Sequence, residues 1–286
     1  PYVFVTENLG KTWKSLSANL PAEAVNVIKE DPVNADVLYV GSDRGVYVSL
    51  DRGGAWQTLD AGLPNVPVHD LIVHPRDREL VAATHGRSVW ILDALPVQDL
   101  TADVRLKPAH LFHVDAVEGD RGWRSRPSRW FDETPDLPKA TIHYWAKSAG
   151  TGKLWVLNSD KQLLKEIAVH AKPGINPLEW DLLIDPDLAL AAESAKNEKL
   201  AEEARVASEK LPKDGEAKTE DDSGRLAKTP YAESIRLGHR LYLSPGEYTL
   251  QLQLAETTSE TPFTISAPEP RKPRAVPAMK IRGKQD

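Results

Sequence analysis

Two octapeptides a fixed distance apart constrain this chain more than any other feature in it. Ser49-Leu50-Asp51-Arg52-Gly53-Gly54-Ala55-Trp56 fits the pattern S/T-x-D-x-G-x-x-W, and Thr6-Glu7-Asn8-Leu9-Gly10-Lys11-Thr12-Trp13 fits it with Asn in place of Asp. The offset is 43 residues, and it also joins Pro32 to Pro75 and Leu20-Pro21 to Leu63-Pro64. A fixed period in the low forties marks a repeated supersecondary unit. The octapeptide itself reads as a hairpin. Val46 and Val48 alternate with Tyr47 ahead of it, as in a short strand. Asp51 can accept from nearby backbone amides and hold the turn. Gly53 supplies the backbone freedom, and Trp56 opens the return strand with a ring large enough to fill the space between neighbouring sheets.

These residues resemble the Asp-box, or BNR, repeat of sialidase-like and sortilin-like (VPS10-like) β-propellers. That resemblance implies that Thr6, Asn8, Gly10 and Trp13, and Ser49, Asp51, Gly53 and Trp56, are structural and lie away from any active site. The chain can be laid out on that plan. Residues 1–16 supply the last two strands of one blade. The next has strands at 25–30, 37–41, 45–49 and 56–59, and a further set falls at 68–73, 80–84 and 88–92. Four short antiparallel strands in just over 40 residues make one blade, and closed propellers need about 4–8 of them. Residues 1–100 are therefore expected to be the C-terminal blades of a larger ring, with upstream blades of the same protein as their partner. In place of a third octapeptide stands Asp93-Ala94-Leu95-Pro96. The run Ala83-Thr84-His85-Gly86-Arg87-Ser88-Val89-Trp90-Ile91-Leu92-Asp93 resembles the closing blade of bacterial "glycosyl hydrolase BNR repeat" proteins. His85 and Arg87 are candidates to line a channel or loop face and hold an anionic ligand. The alternative is that they only tie the hairpin.

Residues 101–137 read as a linker that wraps the next domain. Within it Trp123, Arg124 and Trp130 interleave basic and aromatic character, which suits a glycan or single-stranded nucleic acid. Against nucleic acid stands the net charge of −6 with no sustained basic patch. Residues 138–267 alternate in short runs with Pro-Gly turns, as expected of a small β-sandwich. Gly174-Ile175-Asn176-Pro177-Leu178-Glu179-Trp180-Asp181 and Pro245-Gly246-Glu247-Tyr248 resemble the FlgD-type immunoglobulin-like domain. The sandwich is interrupted by an insertion, residues 184–239. Leu188, Ala192, Ala195, Leu200, Ala204, Ala207 and Leu211 predict one helix over 187–211 with a thin apolar stripe. That helix and the Pro-rich extended tail, 268–286, are candidate contacts for a protein partner.

The chemistry is sparse. There are no cysteines, so disulfides and thiolate metal sites are excluded. The eight histidines, at 69, 74, 85, 110, 113, 143, 170 and 239, show no metal-ligand spacing. No phosphate loop, dinucleotide fingerprint or nucleophile elbow occurs, and no cofactor or metal is implied. No apolar run is long enough to span a membrane. A glycosidase needs two carboxylates flanking a cleft, and the candidates are Asp43, Asp51, Asp70, Asp77 and Asp93. The expected fold is all-β: a partial propeller followed by an immunoglobulin-like sandwich carrying a helical insertion. The expected function is a non-catalytic binding or scaffold portion of an exported protein, periplasmic or secreted, that contacts protein or glycan. The alternatives are part of a glycoside hydrolase whose carboxylates lie mainly upstream, and a structural subunit of a larger complex.

Overall fold

A computed structural model describes residues 1–59, 62–119, 138–209 and 230–268. Among these the chain is mainly β. It opens with three small antiparallel sheets. β1 (Phe4–Val5) pairs with β2 (Lys14–Ser15). A four-stranded meander contains β3 (Val25–Glu30), β4 (Leu38–Ser42), β5 (Gly45–Ser49) and β6 (Gln57–Thr58). A three-stranded one contains β7 (Val68–His74), β8 (Glu79–Thr84) and β9 (Val89–Asp93). The repeat persists at the level of register. The first hairpin of each meander has its irregularity at equivalent residues, Val25/Val27 and Val68/Asp70. The Asp43 amide donates to the Ala24 carbonyl in one, and the His85 amide to the Pro67 carbonyl in the other.

The three sheets stack face to face. Every residue of β4 is buried, so both faces of its sheet are covered. On one face Val37, Tyr39, Val46 and Val48 pack against Val68, Leu71, Leu80 and Ala82 of the third sheet. On the other, Leu38 and Val40 pack with Val3, Leu16, Leu20 and Trp56. Gly41 marks how close the second and third sheets come. A Cβ there would lie 2.7 Å from Val27 Cγ1 and 3.0 Å from both Cγ1 and the carbonyl oxygen of Val68. The outer faces of the stack are different. Phe4 and Trp13 are 52% and 62% exposed at one end, and Ile72, Val89 and Ile91 are 56–61% exposed at the other. Val89 and Ile91 stand 43 residues after the buried Val46 and Val48.

A buried polar network fastens the second sheet to the helical turn after β9. Asp31 is 3% exposed, and its Oδ1 accepts the Val33 and Asn34 amides at 2.8 and 3.0 Å. Its Oδ2 accepts Tyr39 Oη and Gln98 Nε2 at 3.2 and 2.9 Å. Gln98 closes that turn, α1 (Leu95–Gln98), and accepts from Arg78, which also pairs with Asp99 at 2.5 Å. Burial and the Asp31 carboxylate push the Tyr39 hydroxyl far above the usual tyrosine value, so it stays a donor.

Residues 101–119 of the stretch read as a linker hold more regular structure than their sequence suggests. After α2 (Ala102–Leu106), capped by Thr101, it adds β10 (Ala109–Leu111) and β11 (Val117–Glu118) to the sheets beyond. Strands of two and three residues carry no period, and β11 pairs in parallel with a strand about 150 residues away, so neither leaves a local signal. The second half continues with β12 (Ala140–Ala146), β13 (Gly150–Leu157), β14 (Leu163–Ala171) and β15 (Gly174–Trp180). After these come α3 (Pro186–Glu209), α4 (Pro230–Arg236), β16 (Gly246–Leu254) and β17 (Thr257–Ser266). One sheet runs β10-β12-β15 and the other β11-β17-β16-β13-β14. Strict alternation on β12 turns Ala140, Ile142, Tyr144 and Ala146 inward, onto a core with Leu154, Val156, Leu250, Leu252 and Phe263. Trp180 joins it, its ring 6.1 Å from that of Phe263.

The insertion leaves and re-enters this core through one narrow neck. Leu183 bridges Tyr242, with Ile184 N donating to Leu241 O and Leu243 N to Leu182 O. Of the expected apolar stripe, Leu188 is half-buried and Ala192 buried, whereas Ala195 is exposed and Leu200 is 47% exposed; Ala189, beside the stripe, is also buried. Ala207 and Leu211 lie where no side chain is described, as does Ala204. The insertion also holds a second helix, where the sequence pattern predicts one alone. α4 sets Tyr231 and Ile235 on the core, and its first amides donate to Glu193 of α3.

Candidate functional site

The two octapeptides build the same turn with the same three side-chain bonds, and the earlier copy adds one from Asn8 Nδ2 to Thr12 Oγ1. Ser49 Oγ donates to Asp51 Oδ1 at 2.8 Å and accepts the Gly53 amide at 2.8 Å, while Asp51 Oδ1 accepts the Ala55 amide at 2.9 Å. In the earlier copy Thr6 Oγ1 donates to Asn8 Oδ1 and accepts the Gly10 amide, while Asn8 Oδ1 accepts the Thr12 amide. Leu9 and Gly10 (φ 57° and 85°) match Arg52 and Gly53 (φ 58° and 84°). Desolvation works to raise the Asp51 carboxyl, but the Ala55 and Gly54 amides and the Ser49 hydroxyl outweigh it and hold it below the usual carboxylate range. Asp51 Oδ1 is thus engaged by the turn itself. The tryptophans differ. Trp56 is 5% exposed and its Nε1 donates to the Leu16 carbonyl at 2.7 Å, whereas Trp13 lies open.

At the strand end opposite these turns lie the β4–β5 and β8–β9 hairpin tips. Asn26 Nδ2 donates to Asp43 Oδ1 in the first unit. In the second, His69 Nε2 lies 3.3 Å from His85 Nδ1. Both imidazoles are exposed, as is Arg87 next to them. Gly86 and Ser88, both at positive φ, turn this tip, and the Arg87 carbonyl accepts Trp90 Nε1. His69 is not among the residues that the sequence singles out. The signal for it is the repeat, because His69 stands 43 residues after Asn26.

A second cluster lies where β9 meets β12. A cavity of about 310 Å³ is lined by Asp77, Glu79, Asp93, His113, Asp115 and Lys139. Burial pushes the Asp93 carboxyl up, against the Leu95 amide and His143, whose Nδ1 is 3.6 Å from Asp93 Oδ2. Asp77 is bonded by Arg76 at 2.7 and 2.8 Å, and that holds its carboxyl below the usual range. Of the sequence candidates, Asp77 and Asp93 both line this one cleft. Asp43 and Asp70 sit elsewhere, beside Asn26 and Lys29. Trp123, Arg124 and Trp130 lie outside the described residues, as does the tail beyond residue 268. Among the described residues no three His, Asp or Glu side chains gather as a metal-holding group, and no helix is long and apolar enough to cross a membrane.

No known protein family matches the chain, and no curated protein matches it. Among solved structures it is similar to the extracellular domain of a one-component system from B. thetaiotaomicron, at 11% identity and a TM-score of 0.27. The match covers 94% of this chain, which spans 29% of that one.

Proposed function

We propose that the chain is a non-catalytic binding and scaffold portion of an exported β-propeller protein. Its first three sheets would be successive blades and its second half an immunoglobulin-like domain. One observation carries the reading: the register-for-register repeat whose outer faces are left bare. Val46 and Val48 are 1% and 2% exposed because another unit covers them, and their equivalents Val89 and Ile91 are open. A further unit of the same kind, from upstream in the protein, fits that face and the one that carries Phe4 and Trp13. A ring built from such units presents its hairpin tips to a protein or glycan ligand, with His69, His85, Arg87 and Arg44, which turns the β4–β5 tip and lies 3.5 Å from Glu23. The periplasm or the cell exterior is the matching location, on the resemblance of the octapeptides alone. Labelled intact protein on a glycan array tests this, with Arg44→Ala/Arg87→Ala as the comparison. Saturable binding lost in the variant is the expected outcome; equal binding by both would remove the tips from the reading.

The acidic cleft favours one other reading, a glycoside hydrolase. There Asp93, with its raised carboxyl, would act as the acid and Asp77 as the partner carboxylate. Hydrolysis of aryl glycosides that vanishes in both Asp93→Asn and Asp77→Asn would replace the binding proposal.

A further inference from the structure

We propose that His69 and His85 form a two-nitrogen anchor for a divalent transition-metal ion of the zinc or copper class. The argument is geometric. Two imidazole nitrogens, each about 2.0–2.1 Å from a tetrahedral zinc, stand about 3.3–3.4 Å apart. His69 Nε2 and His85 Nδ1 stand 3.3 Å apart. The rings meet edge to face, with centroids 5.4 Å apart and planes at 73°, so both nitrogens come together without the rings stacking. Each histidine is carried on fastened backbone. His69 lies inside β7, next to the irregularity at Val68/Asp70, and the His85 amide is tied to the Pro67 carbonyl at 2.8 Å. The hairpin tip beyond it is closed by Thr84, whose amide and hydroxyl both donate to the Ser88 carbonyl. Two neighbouring, fastened segments therefore hold the two backbones in place, which lowers the cost of ordering the ligands on binding.

The equivalent pair one unit earlier is Asn26 and Asp43, joined by an ordinary amide–carboxylate hydrogen bond. The fold does not need imidazoles at this spot, since the same contact is made there by other groups. Both rings are exposed, so the remaining coordination positions face outward, open to water or to an oxygen or nitrogen ligand from a bound molecule. Zinc and copper accept neutral imidazole readily, and a two-ligand site leaves room for such a third group. Arg87, exposed on the same tip, would favour an anionic donor for it. The inference stands apart from the propeller reading, because it uses only one hairpin and the strand beside it.

Bound, the metal requires each ring to carry its proton on the far nitrogen, Nδ1 of His69 and Nε2 of His85. A simple hydrogen bond between the rings requires one of the two near nitrogens to keep its proton. The test is titration of the intact protein with zinc chloride, and separately copper chloride, by calorimetry and by nitrogen-15 spectra of the imidazoles. The expected result is one saturable site, with affinity reduced about tenfold or more in both His69→Gln and His85→Gln. His170→Gln, an exposed histidine elsewhere, should leave it unchanged. The spectra should show the two near nitrogens shifting together on metal addition. Binding that is absent, that survives both substitutions, or that falls equally in His170→Gln would overturn the proposal. So would a proton retained between the two rings at saturating metal.

Discussion

Trp13 and Trp56 occupy the same place in the same turn, so substituting each measures what the neighbouring unit contributes. Trp56→Ala removes a ring that is 5% exposed and packed among Leu16, Leu20, Leu38 and Val40. Emptying such a site costs about 3–5 kcal/mol. The lost bond from Nε1 to the Leu16 carbonyl adds about 1 kcal/mol. Trp13 is 62% exposed, and truncating it in this chain should cost about 1 kcal/mol or less. The assay is urea unfolding of the 286-residue chain followed by circular dichroism, with the two variants side by side. The expected gap is about 3 kcal/mol or more, with Trp56→Ala the less stable. The same pair placed in a longer protein, with another repeat unit ahead of Pro1, should converge, because Trp13 would then be covered as Trp56 is. Equal costs in the 286-residue chain would refute the argument that burial by the adjacent unit separates the two copies.

The same geometry yields three other outcomes. Gly41→Ala should destabilise by about 1–3 kcal/mol, since its Cβ would press on Val27 and on the Val68 backbone; a neutral result in urea would show that the sheets part readily. On α3, Ala192→Leu should cost a similar amount while Leu200→Lys stays within about 0.5 kcal/mol, and equal effects would mean that the helix docks along its whole length. Burial lowers the His143 imidazole from its ordinary value, so its contribution is complete above about pH 6.5 and is lost as pH falls through the lowered value. Asp93 is raised by burial, so its contribution is complete below the ordinary carboxylate value and is lost as pH rises through the raised one. His143→Gln should flatten the acid-side decline in urea midpoint and Asp93→Asn the decline on the other side; unchanged limbs would show that the junction does not titrate.

What could be read from the residues was what repeats or alternates. Ser49, Asp51 and Gly53 announced a turn because their bonds to one another and to Ala55 close within it, and β12, β13 and β16 announced themselves by period. Edge strands β10 and β11 could not be seen, because their partners are supplied by distant sequence. The His69–His85 contact joins residues 16 apart that meet only when β7 and β8 pair in their own register. The cleft holding Asp77 and Asp93 needed the second half of the chain to fold against the first, with His143 brought up from β12. Pattern reads one strand at a time: the histidine pair forms between strands of one sheet, and the cleft forms between separate sheets.

The neck at Leu183 and Tyr242 makes the two sheets of the second half tolerant of whatever lies beyond it. Because the two ends are already held together, doubling the intervening length costs only about 0.6 kcal/mol in closure entropy. The core sees the insertion chiefly through Ala189, Ala192, Tyr231 and Ile235. A fluorescent or affinity module could be spliced in past Leu200 without disturbing β14 or β16. That would put a reporter on this protein at an internal site, with both chain termini left untouched.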